Sequence, residues 1–135
     1  MTTKELMIGD IIGVTHEELG LVYAEVEYIN DAGDLCVRAD NPYMDGGYEC
    51  TVKECQPIDI DMLHMFPFLN PIVINKSIEL NAVGLELTVK REDYKYIELE
   101  HPHFGCIKIY NLYVHKLQHA IRMLGVDDKA RIVIQ

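Results

Sequence analysis

His115 and His119 stand four residues apart in a stretch of helical periodicity, a separation that can bring two imidazoles to one metal ion. Stepping about 100° per residue from Leu117, Ile121 and Leu124 fall within about 40° of it, and Val114 and Ala120 within about 60°. His115 and His119 land near about 160° and about 200°, on the polar side with Arg122. A metal site there needs another element to cover that side, and no Glu follows His115 as H-E-x-x-H requires. We therefore read a solvated, partly cationic helix face, expect no bound metal and no cofactor, and keep His115 and His119 as the candidate ligands.

Other reactive groups point less clearly to chemistry. Glu98 and Glu100, Glu25 and Glu27, and Asp59 and Asp61 are carboxylate pairs at i, i+2. On a strand such a pair shares a face, and it becomes an acid–base device when burial drives its two pKa values apart. Glu98 and Glu100 fall on the expected wet face of their strand, where nothing desolvates them. Ser77, the one serine, lies outside any G-x-S-x-G elbow. Cys106 with His103 is a conceivable dyad without a recognisable nucleophile turn, so no catalytic residue is assigned. The four cysteines, Cys36, Cys50, Cys55 and Cys106, form no C-x-x-C pair. Cys50 and Cys55, five apart, match neither a zinc knuckle nor a redox motif, and all four read as reduced thiols on or near strands.

Eight tyrosines and no tryptophan leave a different possibility. Tyr43 and Tyr48 flank Gly46-Gly47, and Tyr94 lies beside Tyr96. Tyrosine in loops offers large contact area at small entropic cost; tyrosine at strand ends, half buried, is the plainer reading. The candidate interaction surface is Tyr43, Tyr48, His115, His119 and Arg122.

The elements that must position these residues follow from periodicity. The chain has 135 residues, 49% of them hydrophobic, enough for one domain or two small packed lobes. Residues 1–58 read as short strands. A Gly9-Asp10 bend enters the first, and 22–29 and 35–40 alternate with period two around an Asn30–Gly33 hairpin loop. After a longer loop at 41–47, 48–55 reads as a fourth strand. This spacing predicts a small SH3-like β-barrel, whose closure removes exposed edges. Residues 59–69 predict a short helical connector, capped by Asp61 and ended by Pro67. Residues 70–135 predict an antiparallel sheet, with strands at 85–90, 96–100 and 106–110 and a closing strand at 130–134. One helix, Leu112–Leu124, covers it, with Asn111 as N-cap and Gly125 just past its end. The fold class is α+β.

Acidic residues outnumber basic ones 22 to 12, giving a net charge of −10. That balance opposes binding to a nucleic-acid backbone or an anionic membrane, where cations must meet phosphates. The start, Met1-Thr2-Thr3-Lys4-Glu5, shows no apolar leader, and the longest stretch without a formal charge, Met62 to Asn75, is too short to span a bilayer. A cytoplasmic protein is expected.

Three segments together resemble a family: Lys4-Glu5-Leu6-Met7-Ile8-Gly9-Asp10, then Gln56-Pro57-Ile58-Asp59-Ile60-Asp61, then Tyr113-Val114-His115-Lys116-Leu117-Gln118-His119-Ala120. They look like small proteins found widely in Bacteroidetes genomes and their prophages. Those open with E-L-x-I-G-N/D, have a P-I-P-L-T turn into a middle helix, and carry a Y-V-H-x-L-Q helix near the C-terminus. The resemblance spans nearly the whole chain. It departs at Asp59-Ile60-Asp61, where the family tends to Pro-Leu-Thr, and at Pro67, which cuts the middle helix short. It implies a phage or mobile-element context and brings no activity, cofactor or catalytic residue. The expected function is a non-enzymatic interaction module with a protein partner. The alternatives are a metal-dependent enzyme using His115 and His119, and an acidic decoy that mimics nucleic acid.

Overall fold

The computed structural model describes residues 1–59, 79–91, 95–102, 105–110 and 113–126. They belong to two units, Met1–Ile58 and Asp59–Gln135, and the protein is α+β.

The first unit is a five-stranded antiparallel sheet: β1 (Ile11–His16), β2 (Gly20–Ile29), β3 (Asp34–Arg38), β4 (Tyr48–Thr51) and β5 (Cys55–Gln56), in the order β4-β3-β2-β1-β5. The Gly9-Asp10 bend enters β1 as expected, and the buried Asp10 carboxylate accepts the Met7 N–H at 2.8 Å. The Asn30–Gly33 loop joins β2 to β3, with the Asp34 N–H donated to Asn30 Oδ1 at 2.9 Å. The single fourth strand expected over 48–55 is instead two strands separated by a 3-10 turn, Val52–Glu54. That turn redirects the chain so that β5 pairs with β1, Val14 opposite Cys55 and Gly13 opposite Gln56. β4 and β5 stand at opposite ends of the strand order yet are three residues apart in sequence, so the sheet must curl to bring its ends together. A register shift between Val26 and Tyr28 on β2 adds local twist. Inside the curl lie Ile12, Val14, Ala24, Val26, Leu35, Val37, Met44 and Cys50. β1 lies between β2 and β5 and is buried at four consecutive positions, Ile11 to Val14, rather than alternately.

In the second unit, residues 79–82 are helical, where the sequence predicts resumed strands. β6 (Glu86–Arg91), β7 (Lys95–His101) and β8 (Gly105–Ile109) then form an antiparallel meander. Leu87, Leu99 and Ile107 line up across one face of it, and Glu100 stands between Glu86 and Cys106 on the other. The long helix is Val114–Met123, beside β8. Its N-cap residue is Tyr113, whose carbonyl accepts the Lys116 and Leu117 N–H groups at 3.1 Å each. Both helical segments end alike. Gly84 (φ 83°) and Gly125 (φ 79°) take the left-handed conformation. The Leu85 N–H reaches back to the Leu80 carbonyl, and the Val126 N–H to that of Ile121. This double closure satisfies carbonyls the helix leaves free. The N-cap is thus Tyr113 and not the expected Asn111, because Tyr113 is still extended and the helix starts only at Val114. The expected connector at 59–69 with its Asp61 cap and the strand at 130–134 lie outside the described residues, apart from Asp59, which makes an isolated bridge to Tyr113. No described helix is long and apolar enough to cross a membrane.

Candidate functional site

The β1–β2 turn, the 41–47 loop and the start of β4 meet at His16. The imidazole is buried at the end of β1, and its Nδ1 accepts the Glu18 and Leu19 N–H groups at 3.1 and 3.3 Å. This acceptor role assigns the ring proton to Nε2. The side chain thus closes the β1–β2 turn and is fixed by it. Asn41 does the same for the 41–47 loop, its Oδ1 taking the Tyr43 and Met44 N–H groups at 3.0 Å each. Met44 then enters the core, fully buried, and its neighbour Tyr43 is left outside, 53% exposed. Gly47, at φ 102°, leads the chain into β4; a Cβ there would stand 3.2 Å from Cys36 Sγ.

The outcome is an aromatic cluster. The His16 ring lies 5.2 Å from that of Tyr43 and 5.1 Å from that of Tyr48, tilted by 50° and 51°. These are favourable edge-inclined contacts. Desolvation pushes the Tyr48 hydroxyl above its ordinary ionisation, and the Glu54 and Glu17 carboxylates add to this. Both tyrosines on the sequence-derived surface are therefore brought together. His16, which joins them, was missed: a lone histidine before a Glu-Glu-Leu-Gly turn has no distinguishing pattern. On the same unit, a groove of about 320 Å³ is lined by Tyr28, Asp34, Glu49, Cys50 and Glu54 among others, three of them carboxylates.

The remaining surface candidates lie in the second unit. The expectation of a solvated histidine face is corrected there. His115 is 1% exposed and Gln118 is fully buried, alongside Val114, Leu117, Ala120 and Ile121. The Tyr113 ring stacks on His115 at 5.7 Å and 8°, so the side that polarity alone assigns to water is packed. His119 meets His115 edge-on at 5.7 Å, and His119 and Arg122 are half-buried. His115 is therefore no contact residue for a partner, and the helix presents Met123 outward instead.

Among the described residues, the three-donor cluster with a metal's spacing is Glu98, Glu100 and Cys106, with ligand atoms within 4.8 Å of one another; it includes neither helix histidine. Cys106 Sγ donates to Glu98 Oε1 at 2.8 Å. That hydrogen bond pushes the thiol up, with desolvation and the Glu98 and Glu100 charges adding and Lys108 opposing. A protonated thiol is a poor nucleophile and a poor ligand. His103, its proposed dyad partner, lies outside the described residues, as does Tyr94. Tyr96 instead meets Tyr110 at 5.8 Å, with Lys108 Nζ 5.3 Å from the Tyr96 ring centre.

No protein-family model matches this sequence, and no solved structure matches it.

Proposed function

We propose that the protein is a non-enzymatic interaction module whose contact surface is the Tyr43–His16–Tyr48 cluster. One observation carries the reading: an exposed tyrosine on the anchored 41–47 loop and a half-buried one on β4 are held against a buried histidine that anchors the β1–β2 turn. A rigid aromatic patch of this kind binds without paying much ordering entropy. The first unit is read as an SH3-like barrel. Its strand order β4-β3-β2-β1-β5 and the 3-10 turn before the last strand support that reading. Fold does not fix function, and the reading rests on the aromatic patch. Glu17 and Glu54 near Tyr48, within a chain of net charge −10, favour a partner segment that is basic and carries apolar or proline-rich contact area. The three-segment resemblance supports an accessory protein of phage or mobile-element origin. Four free thiols support a cytoplasmic setting.

The test is affinity capture from the native host with wild type and Tyr43→Ala side by side. Wild type is expected to retain a partner that the variant releases, with both proteins equally folded by circular dichroism. An identical set of retained proteins from both would refute the surface.

A further inference from the structure

We propose that Cys50 and Cys55 form a peroxide-reactive dithiol that closes to an intramolecular disulfide between β4 and β5. The two sulfurs lie 3.7 Å apart. A disulfide of about 2.0 Å asks them to close by roughly 1.7 Å. Sequence spacing gave no hint of this, because the Val52–Glu54 turn is what folds β5 back beside β4.

The two thiols have different roles. Cys55 S–H donates to the Thr51 carbonyl at 3.4 Å, which leaves the Cys50 S–H to donate to the Cys55 sulfur. That donation favours a thiolate at Cys55, against desolvation and Glu54, and raises Cys50. Cys55 is half-exposed and Cys50 buried. Cys55 is therefore the attacking sulfur and Cys50 the resolving one.

The reaction balances with hydrogen peroxide as oxidant. The Cys55 thiolate attacks one peroxide oxygen, the O–O bond breaks, and the other oxygen leaves as water after taking a proton. Cys55 is then a sulfenic acid. The Cys50 sulfur attacks it, the S–S bond forms, the S–O bond breaks, and the hydroxyl leaves as water with the Cys50 proton. Two thiols have lost two electrons and two protons, and one peroxide has become two waters. Glu54 adjoins Cys55, and Asp34 and Glu49 share the groove that Cys50 lines. These carboxylates repel anionic oxidants, so neutral peroxide is favoured over glutathione disulfide.

The test uses the full chain. Reduced protein is treated with hydrogen peroxide, alkylated and digested with trypsin. Lys53 lies between the two cysteines, so cleavage there leaves a disulfide joining the peptide with Cys50 to the peptide with Cys55. We expect that linked pair in wild type and in Cys36→Ser and Cys106→Ser. In Cys50→Ser, oxidation is expected to stop at a sulfenic acid on Cys55, trapped by dimedone. Closure in urea is expected to be about tenfold slower, because the unfolded chain no longer holds the sulfurs together. Equal rates in urea and buffer would overturn the proposal, as would linkage through Cys36 or Cys106, or a sulfenic acid resting on Cys50. Glutathione disulfide closing the pair faster than peroxide would overturn the choice of oxidant.

Discussion

Met44→Ala is the perturbation that connects the aromatic surface to the core. Met44 sits in a loop of polar and small residues, yet it is fully buried and belongs to the same apolar cluster as Ile12, Val26, Leu35 and Val37. Its N–H is taken by Asn41, and its carbonyl accepts the Ala39 N–H at 3.3 Å and the Gly47 N–H at 3.2 Å. Truncation removes three buried heavy atoms. At about 0.8 kcal/mol each, the transfer loss is about 2.4 kcal/mol. The cavity adds to this unless the loop collapses into it, giving a range of about 2–5 kcal/mol. Urea unfolding followed by circular dichroism measures the change. Tyr43→Ala is the control, since it takes away a mostly exposed ring and is expected to cost less than about 1 kcal/mol. Met44→Ala should therefore lose both stability and partner capture, and Tyr43→Ala capture alone. A Met44→Ala cost below about 1 kcal/mol would refute the reasoning, because the loop would then be held without its plug.

Four further outcomes are expected. Leu117→Ala, at a buried helix position, should cost about 2–5 kcal/mol, and Met123→Ala, 80% exposed, less than about 0.5 kcal/mol; equal costs in urea melts would mean a rotated helix. Gly47→Ala should cost about 1–3 kcal/mol, since it strains a positive φ and crowds Cys36 Sγ. Tyr48 ionises above the ordinary value of 10.0 when folded, so its contribution is complete below that pH and declines as pH rises past it. Alkaline urea titrations should show a shallower decline for Tyr48→Phe than for wild type. Gel shifts with random duplex DNA at low salt should show no retention, given the −10 charge.

Much of the architecture was legible from the sequence because it depends on local rules. The two-residue alternation at Val22–Ile29 and Leu85–Lys90 marks strands wherever the chain goes afterwards. Asn30–Gly33 makes a turn by its own chemistry, and Gly125 ends a helix because it alone tolerates the left-handed conformation cheaply. Gly84 carried the same signal, and the helical turn before it could have been read from it. The acidic balance and the two loop tyrosines were equally plain.

The tertiary structure decided what depends on neighbours remote in sequence. Polarity placed His115 in water; the folded chain buries it, with the Tyr113 ring stacked on one face. Composition made 41–47 an ordinary loop; the space enclosed by the curled sheet gave Met44 somewhere to go and so set Tyr43 outside. Tyr43 and Tyr48 became one surface because His16, some thirty residues earlier, stands between them. Cys50 and Cys55 read as unrelated small residues on one strand until a 3-10 turn divided it. Periodicity reports which side of an element is apolar, and it carries no information about what will cover the other side. That is settled when distant segments compete for the same space, and the aromatic cluster around His16 is set there.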